Sequence, residues 1–161
     1  MQIDNFFTGK ECKKIISTYK KQTLDKELNS YLNYKYFDIK PDKYWGDKIL
    51  NLIKNYSDQY DGINAIEQWA IDSIRFKHFP KNYALDKWHC EHVKEYPYRI
   101  ISFLIYLSDH DTGTEFYHDK ITVKSKVGRV IIFPSSWTHL HRGQKTNKDR
   151  YILSFYSYLK I

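Results

Sequence analysis

Near residue 69 the spacing of apolar side chains changes period, and that switch restricts the chain to a few architectures. Upstream, Thr8-Gly9-Lys10-Glu11 matches a capping box, in which Thr and Glu side chains reciprocally satisfy the free amides of a helix start. Cys12, Ile15, Ile16 and Tyr19 follow at helical spacing, and Trp45, Ile49, Leu52, Ile53 and Tyr56 share one side of a second helix over 45–60. Downstream, Ile74, Phe76 and His78 alternate with Arg75 and Lys77, which is the period of a strand. Further strands are expected at 88–92, 99–108, 114–118, 121–125, 128–133, 138–142 and 150–159. Helices first and short strands afterwards predict an α+β, mainly β fold. Two antiparallel sheets in a jelly roll, a double-stranded β-helix backed by N-terminal helices, account for the strand count. The expected division is a single domain over 1–161, with 1–65 as mainly helical support and 66–161 as the jelly-roll core.

Composition narrows the class. An aromatic content of 17% suits broad packed β faces and excludes a disordered chain. No apolar run is long enough to span a bilayer, and Met1-Gln2-Ile3-Asp4 lacks the basic start and apolar stretch of a signal peptide. Cys12 and Cys90 are isolated thiols and not a disulfide framework, so a reducing, cytoplasmic setting is expected, with no membrane partner. The net charge of +7 leaves a nucleic-acid or ribonucleoprotein partner open. No basic run interleaved with aromatics marks a dedicated groove, and a solvated lysine-rich surface is the simpler reading.

One constellation carries chemistry. In Trp88-His89-Cys90-Glu91-His92 an imidazole and a carboxylate stand two apart, so on a strand both point to one face. Two ligands from that segment and one histidine from elsewhere make the facial N/O set that suits Fe(II) and leaves the opposite face open. Thr138-His139-Leu140-His141-Arg142-Gly143 offers the third ligand, and strand parity does not choose between His139 and His141. His92, directly after Glu91, offers a competing zinc arrangement with His89, whereas His78, His110 and His118 read as packed or solvated. A His-x-Glu pair on its own is a weak signal in a chain with seven histidines.

The order of segments from residue 70 to 159 adds specificity. Phe76 to Lys81 leads into Trp88-His89-Cys90-Glu91. Arg99 to Leu107 is followed by Thr112-Gly113-Thr114-Glu115-Phe116, then by Gly128 to Ser135. Thr138 to Gly143 ends in Arg150-Tyr151-Ile152-Leu153-Ser154. On these segments the chain resembles the Fe(II)- and 2-oxoglutarate-dependent oxygenases, in their prolyl 4-hydroxylase-like branch, and is similar to the short forms encoded by bacteria and phages. The resemblance puts His89, Glu91 and His141 on iron, with His141 preferred because His141-Arg142-Gly143 matches the family's distal histidine and following glycine. It puts Arg150 on the far carboxylate of the cosubstrate 2-oxoglutarate, where a planar guanidinium can bind bidentately, and gives Tyr106 a supporting contact. Three positions depart from the family pattern: Glu91 stands where Asp is usual, Thr112-Gly113 where Gly-Gly is usual, and Phe79 where a cosubstrate-binding Tyr is often found.

The implied reaction couples oxidative decarboxylation of 2-oxoglutarate to hydroxylation of an unactivated C–H bond, with no catalytic residue needed beyond the metal site. A protein or peptide residue, proline first, is the expected substrate, with Trp88 and Trp137 shaping the cleft. An oxidative demethylase of nucleic acid is the alternative, weakened because no arginine follows Arg150. A cupin-like metal-binding protein without turnover is the non-enzymatic alternative. Oligomeric state is not legible.

Overall fold

The computed structural model describes residues 1–23, 33–65 and 69–159. Thr8 does cap α1 (Gly9–Tyr19): its hydroxyl accepts from the Glu11 amide, and Glu11 accepts from the Thr8 amide at 2.7 Å. A cap of this kind contributes about 1 kcal/mol. Asp42 caps α2 (Lys43–Gln59) in the same way through the Trp45 amide, and the helix buries Trp45, Ile49, Leu52 and Tyr56 as its spacing predicts.

Among the described residues ten strands follow chain order: β1 (Gln2–Ile3), β2 (Lys35–Ile39), β3 (Trp69–Ile71), β4 (Ile74–Phe79), β5 (Arg99–Tyr106), β6 (Gly113–Phe116), β7 (Ile121–Lys124), β8 (Val130–Pro134), β9 (His141–Gly143) and β10 (Arg150–Leu159). The large antiparallel sheet runs β1-β8-β5-β10-β4-β2, with β3 also pairing β10, and the small sheet runs β7-β6-β9. These are the two antiparallel sheets of the expected jelly roll, with α1 and α2 packed on the outer face of the large one. Two of its strands, β1 and β2, come from the N-terminal region.

Each central strand is buried on both faces. On β5 and β10, Ile101, Phe103, Ile105, Leu153 and Phe155 pack outward against Cys12, Ile15, Ile49 and Leu52 of the helices. Phe103 and Phe155 are cross-strand partners with stacked rings 4.5 Å apart. The alternate residues, Ser102, Leu104, Tyr106, Arg150, Ile152, Ser154 and Tyr156, line a chamber between the sheets. Aliphatic packing on one face therefore fixes which polar side chains point inward on the other.

Two expectations change. Residues 88–92 do not form a strand: a single bridge joins His89 to His141, and the chain around it is irregular. The 138–142 segment is not one strand either, because Trp137–His139 form a 3-10 turn and the strand begins only at His141.

Gly128 holds the N-terminal segment in place. It has φ +75°, its amide donates to the Tyr106 carbonyl at 2.9 Å, and its carbonyl accepts from the Phe6 amide at 2.9 Å. A Cβ there would lie 1.9 Å from the Phe7 carbonyl oxygen. Gly128→Ala is expected to destabilise the protein by more than about 2 kcal/mol, since left-handed strain and a backbone clash add. An unchanged denaturant midpoint would contradict this.

Candidate active site

His89 and His141 face each other across the one bridge between the irregular segment and β9, with reciprocal amide-to-carbonyl bonds of 3.0 and 2.9 Å. This places their rings 4.4 Å apart. In each ring Nδ1 is engaged by a backbone carbonyl, Lys87 at 2.8 Å for His89 and His139 at 3.0 Å for His141. An Nδ1–H donor in that position leaves Nε2 with a free lone pair, the form a metal-binding imidazole needs. Both Nε2 atoms lie 3.7 Å from Glu91 Oε1. Glu91 is held through the Ser135 carbonyl, which accepts from the Glu91 and His92 amides at 3.0 and 2.9 Å. Ser135 is fixed in turn by its amide on Ile100 and by a 2.8 Å hydroxyl contact with Ser102.

The three ligand atoms lie within 4.8 Å of one another. Burial works against charge on Glu91, but the close His141 imidazole, the Lys77 ammonium and His89 hold its carboxyl down at about 2. Burial, helped by His141, lowers the pKa of His89. The group is therefore an ionised carboxylate beside a readily deprotonated imidazole, a donor set that fits a divalent cation.

His139 is not part of this group. Its ring packs on Phe133 and lines a separate groove of about 420 Å³ with Met1, Tyr60 and Ile121. His92 is exposed, with Nδ1 turned to the Arg99 carbonyl. His78 bonds Asp149 at 2.9 Å and stacks on Tyr151, and His110 contacts Ser108 and Thr146. Neither Trp88 nor Trp137 lines the chamber: Trp88 lies under Arg142, and Trp137 is 71% exposed.

Arg150 lies within the same chamber, 3% exposed. Its NH1 donates to the Gln144 carbonyl at 2.9 Å, its Nε has no partner, and no acid of the described residues pairs with it. Burial lowers its pKa, which is the sign of a cation lacking a counter-charge. Gly143 makes room for it, since a Cβ there would stand 3.0 Å from the guanidinium NH2. Tyr106 is fully buried beside it, donating to the Thr114 hydroxyl at 2.7 Å, and burial pushes its phenol up to about 12. It remains a neutral donor at any ordinary pH. Phe79, cross-strand from Arg150, offers only its ring face, 4.9 Å from the guanidinium carbon.

Lys77 and Tyr156 also line the chamber, beyond the ligand and cosubstrate positions that the motifs mark. The available signal was parity. Lys77 shares a face with Phe79 on β4, and Tyr156 with Arg150 on β10.

Residues 77–158, half of the chain, match the model of the 2OG-Fe(II) oxygenase superfamily. No curated protein matches in sequence. Among solved structures, a Pseudomonas putida prolyl-4-hydroxylase superposes with a TM-score of 0.75 at 15% identity, covering 100% of this chain and 92% of that one. The viral collagen prolyl hydroxylase of Paramecium Bursaria Chlorella virus-1, in its 2OG complex, gives 0.72 at 19% identity, covering 98% and 94%. A Trichoplax adhaerens prolyl hydroxylase, in complex with a hypoxia inducible factor peptide fragment, gives 0.73 at 13% identity, covering 99% and 83%. At these identities the superpositions establish the shared fold, and the match to the family model establishes membership. The chain belongs to the 2OG-Fe(II) oxygenase superfamily and is a 2-oxoglutarate-dependent dioxygenase that uses Fe(II).

Proposed function

We propose that His89, Glu91 and His141 hold the iron, that Arg150 with Tyr106 holds the far carboxylate of 2-oxoglutarate, and that the enzyme hydroxylates a prolyl residue in an extended peptide. One observation carries the site assignment: a buried guanidinium without an acid partner opens into the chamber that contains the three ligand atoms. Leaving such a cation unpaired is costly, and a carboxylate brought by the cosubstrate removes that cost. When bound, the iron and 2-oxoglutarate supply the oxidising chemistry. The chain's own part is to hold two imidazoles by their Nδ1 atoms, to keep Glu91 ionised, and to exclude water with Phe79, Phe116, Phe133 and Ile152.

The peptide reading is supported by an outer pocket of about 360 Å³ that adjoins His89 and Glu91 and is lined by Tyr34, Tyr96 and Tyr156. Aromatic rings suit a prolyl ring, and proline-rich segments lose little entropy on binding because they are already extended. The structurally similar viral and animal proteins are prolyl hydroxylases. Adding proline-containing peptides to enzyme, iron and 2-oxoglutarate is expected to raise succinate release and to add one oxygen atom to the peptide. If methylated oligonucleotides couple and no prolyl peptide does, the peptide reading is wrong.

A further inference from the structure

Among the described residues, Lys77 is the buried cation near the site to which neither the metal nor the cosubstrate reading assigns a ligand, although its charge helps to keep Glu91 ionised. Its side chain extends from β4 to the junction of the chamber and the outer pocket, lining both, and it is 5% exposed. Its ammonium lies 4.9 Å from the centre of the Tyr34 ring. Among the described residues it has no ion pair and no hydrogen bond.

The neighbouring cations are already matched. Arg75 binds Asp38 through two bonds of 2.7 and 2.8 Å. Arg99 lies between the Tyr96 and Tyr156 rings, bonds Asp72 at 3.0 Å, and reaches Glu91 Oε2 at 3.4 Å. The other oxygen of Glu91 faces the two histidines. Once a divalent metal and the cosubstrate dianion are in place, Glu91 and the dianion are balanced by the metal and Arg150. Lys77 is left with one positive charge, no acid, and an opening toward the outer pocket.

We propose that Lys77, beside Tyr34 and Tyr156, receives a carboxylate carried by the substrate, as an Asp or Glu side chain flanking the hydroxylated residue. This rests on the peptide reading above and narrows it to acidic peptides. An ammonium suits the task because, as a compact point charge, it meets a carboxylate without demanding one planar approach. The aromatic walls keep water from competing, so a buried ion pair here selects strongly against neutral sequences. Lys77 is then a specificity-determining residue.

The test uses blocked peptides of equal length with a central proline, flanked by Asp and Glu in one set and by Asn and Gln in the other. Succinate release, and anaerobic calorimetric binding to enzyme loaded with iron and 2-oxoglutarate, are measured for wild type, Lys77→Met and Lys77→Gln. Wild type is expected to favour the acidic set by roughly ten- to a hundredfold in KM. Measured at saturating iron and 2-oxoglutarate, both variants should lose that preference, with any cost of removing the charge beside Glu91 falling on the two sets alike. Equal use of the two sets by wild type, equal losses in both that leave the preference standing, or a change confined to 2-oxoglutarate affinity would overturn the proposal. If no prolyl peptide binds or couples, the same comparison is made with free amino acids and their amides. A Lys77-dependent preference for the acids then keeps the carboxylate site while refuting the peptide substrate, and its absence overturns both.

Discussion

Glu91→Ala is expected to lose iron under conditions where the wild-type chain binds one per molecule, and to lose turnover with it. The three candidate ligand atoms lie within 4.8 Å of one another, so each would hold a share of one ion that the other two could not replace. Disturbing only the outer partners of a metal ligand typically weakens affinity by about ten- to a hundredfold, so removing the carboxylate itself should exceed about a hundredfold. His89→Ala should behave alike. Ligation needs neutral imidazole, so iron affinity should fall as pH drops. Burial and His141 lower the pKa of His89, so its contribution should persist to a lower pH than that of an exposed histidine. Iron retained at full stoichiometry in Glu91→Ala would contradict the assignment.

Arg150→Ala is expected to weaken 2-oxoglutarate by roughly ten- to a hundredfold, the effect of losing a charge-assisted contact of about 1.5–3 kcal/mol. Iron should still bind, because the guanidinium contacts the Gln144 carbonyl and the Phe79 ring and not the three ligand residues. The variant also removes a buried, unmatched cation, so its stability without ligand should not fall in proportion. The informative readout is thus the separation of the two ligands: iron affinity unchanged, 2-oxoglutarate affinity lost. Unchanged 2-oxoglutarate affinity would remove the role given to Arg150.

The parts legible in the sequence are those set by local pattern. The Thr8 capping box, the apolar side of α2 and the run 150–159 lie where their spacing puts them, because each is fixed by neighbours within a turn or by simple alternation. The His89 and Glu91 pair was legible for a reason only half right. The two side chains do converge, yet not through the parity of a strand: one bridge to His141 and two amides on Ser135 direct them. Parity was also the wrong tool for His139 against His141. The 3-10 turn at Trp137–His139 separates the two, sending His139 to the outer groove and His141 inward. Lys77 was hidden for another reason. Alternation marks one face of β4 as core and implies solvent for the other, but the second sheet covers that face too. At the Thr112-Gly113 departure the one glycine that remains stands where a close approach requires it: a Cβ on Gly113 would stand 1.9 Å from the Val123 carbonyl oxygen.

The central claim is that one chamber unites His89, Glu91 and His141 around iron with Arg150 on the cosubstrate. Anaerobic titration of Fe(II) and 2-oxoglutarate tests it most directly, followed by the visible charge-transfer absorbance of a 2-oxo acid chelated to Fe(II). Wild type and His139→Ala should develop the band, Arg150→Ala should need roughly ten- to a hundredfold more 2-oxoglutarate to reach it, and His141→Ala should not develop it. A band that survives in His141→Ala and vanishes in His139→Ala would contradict the account.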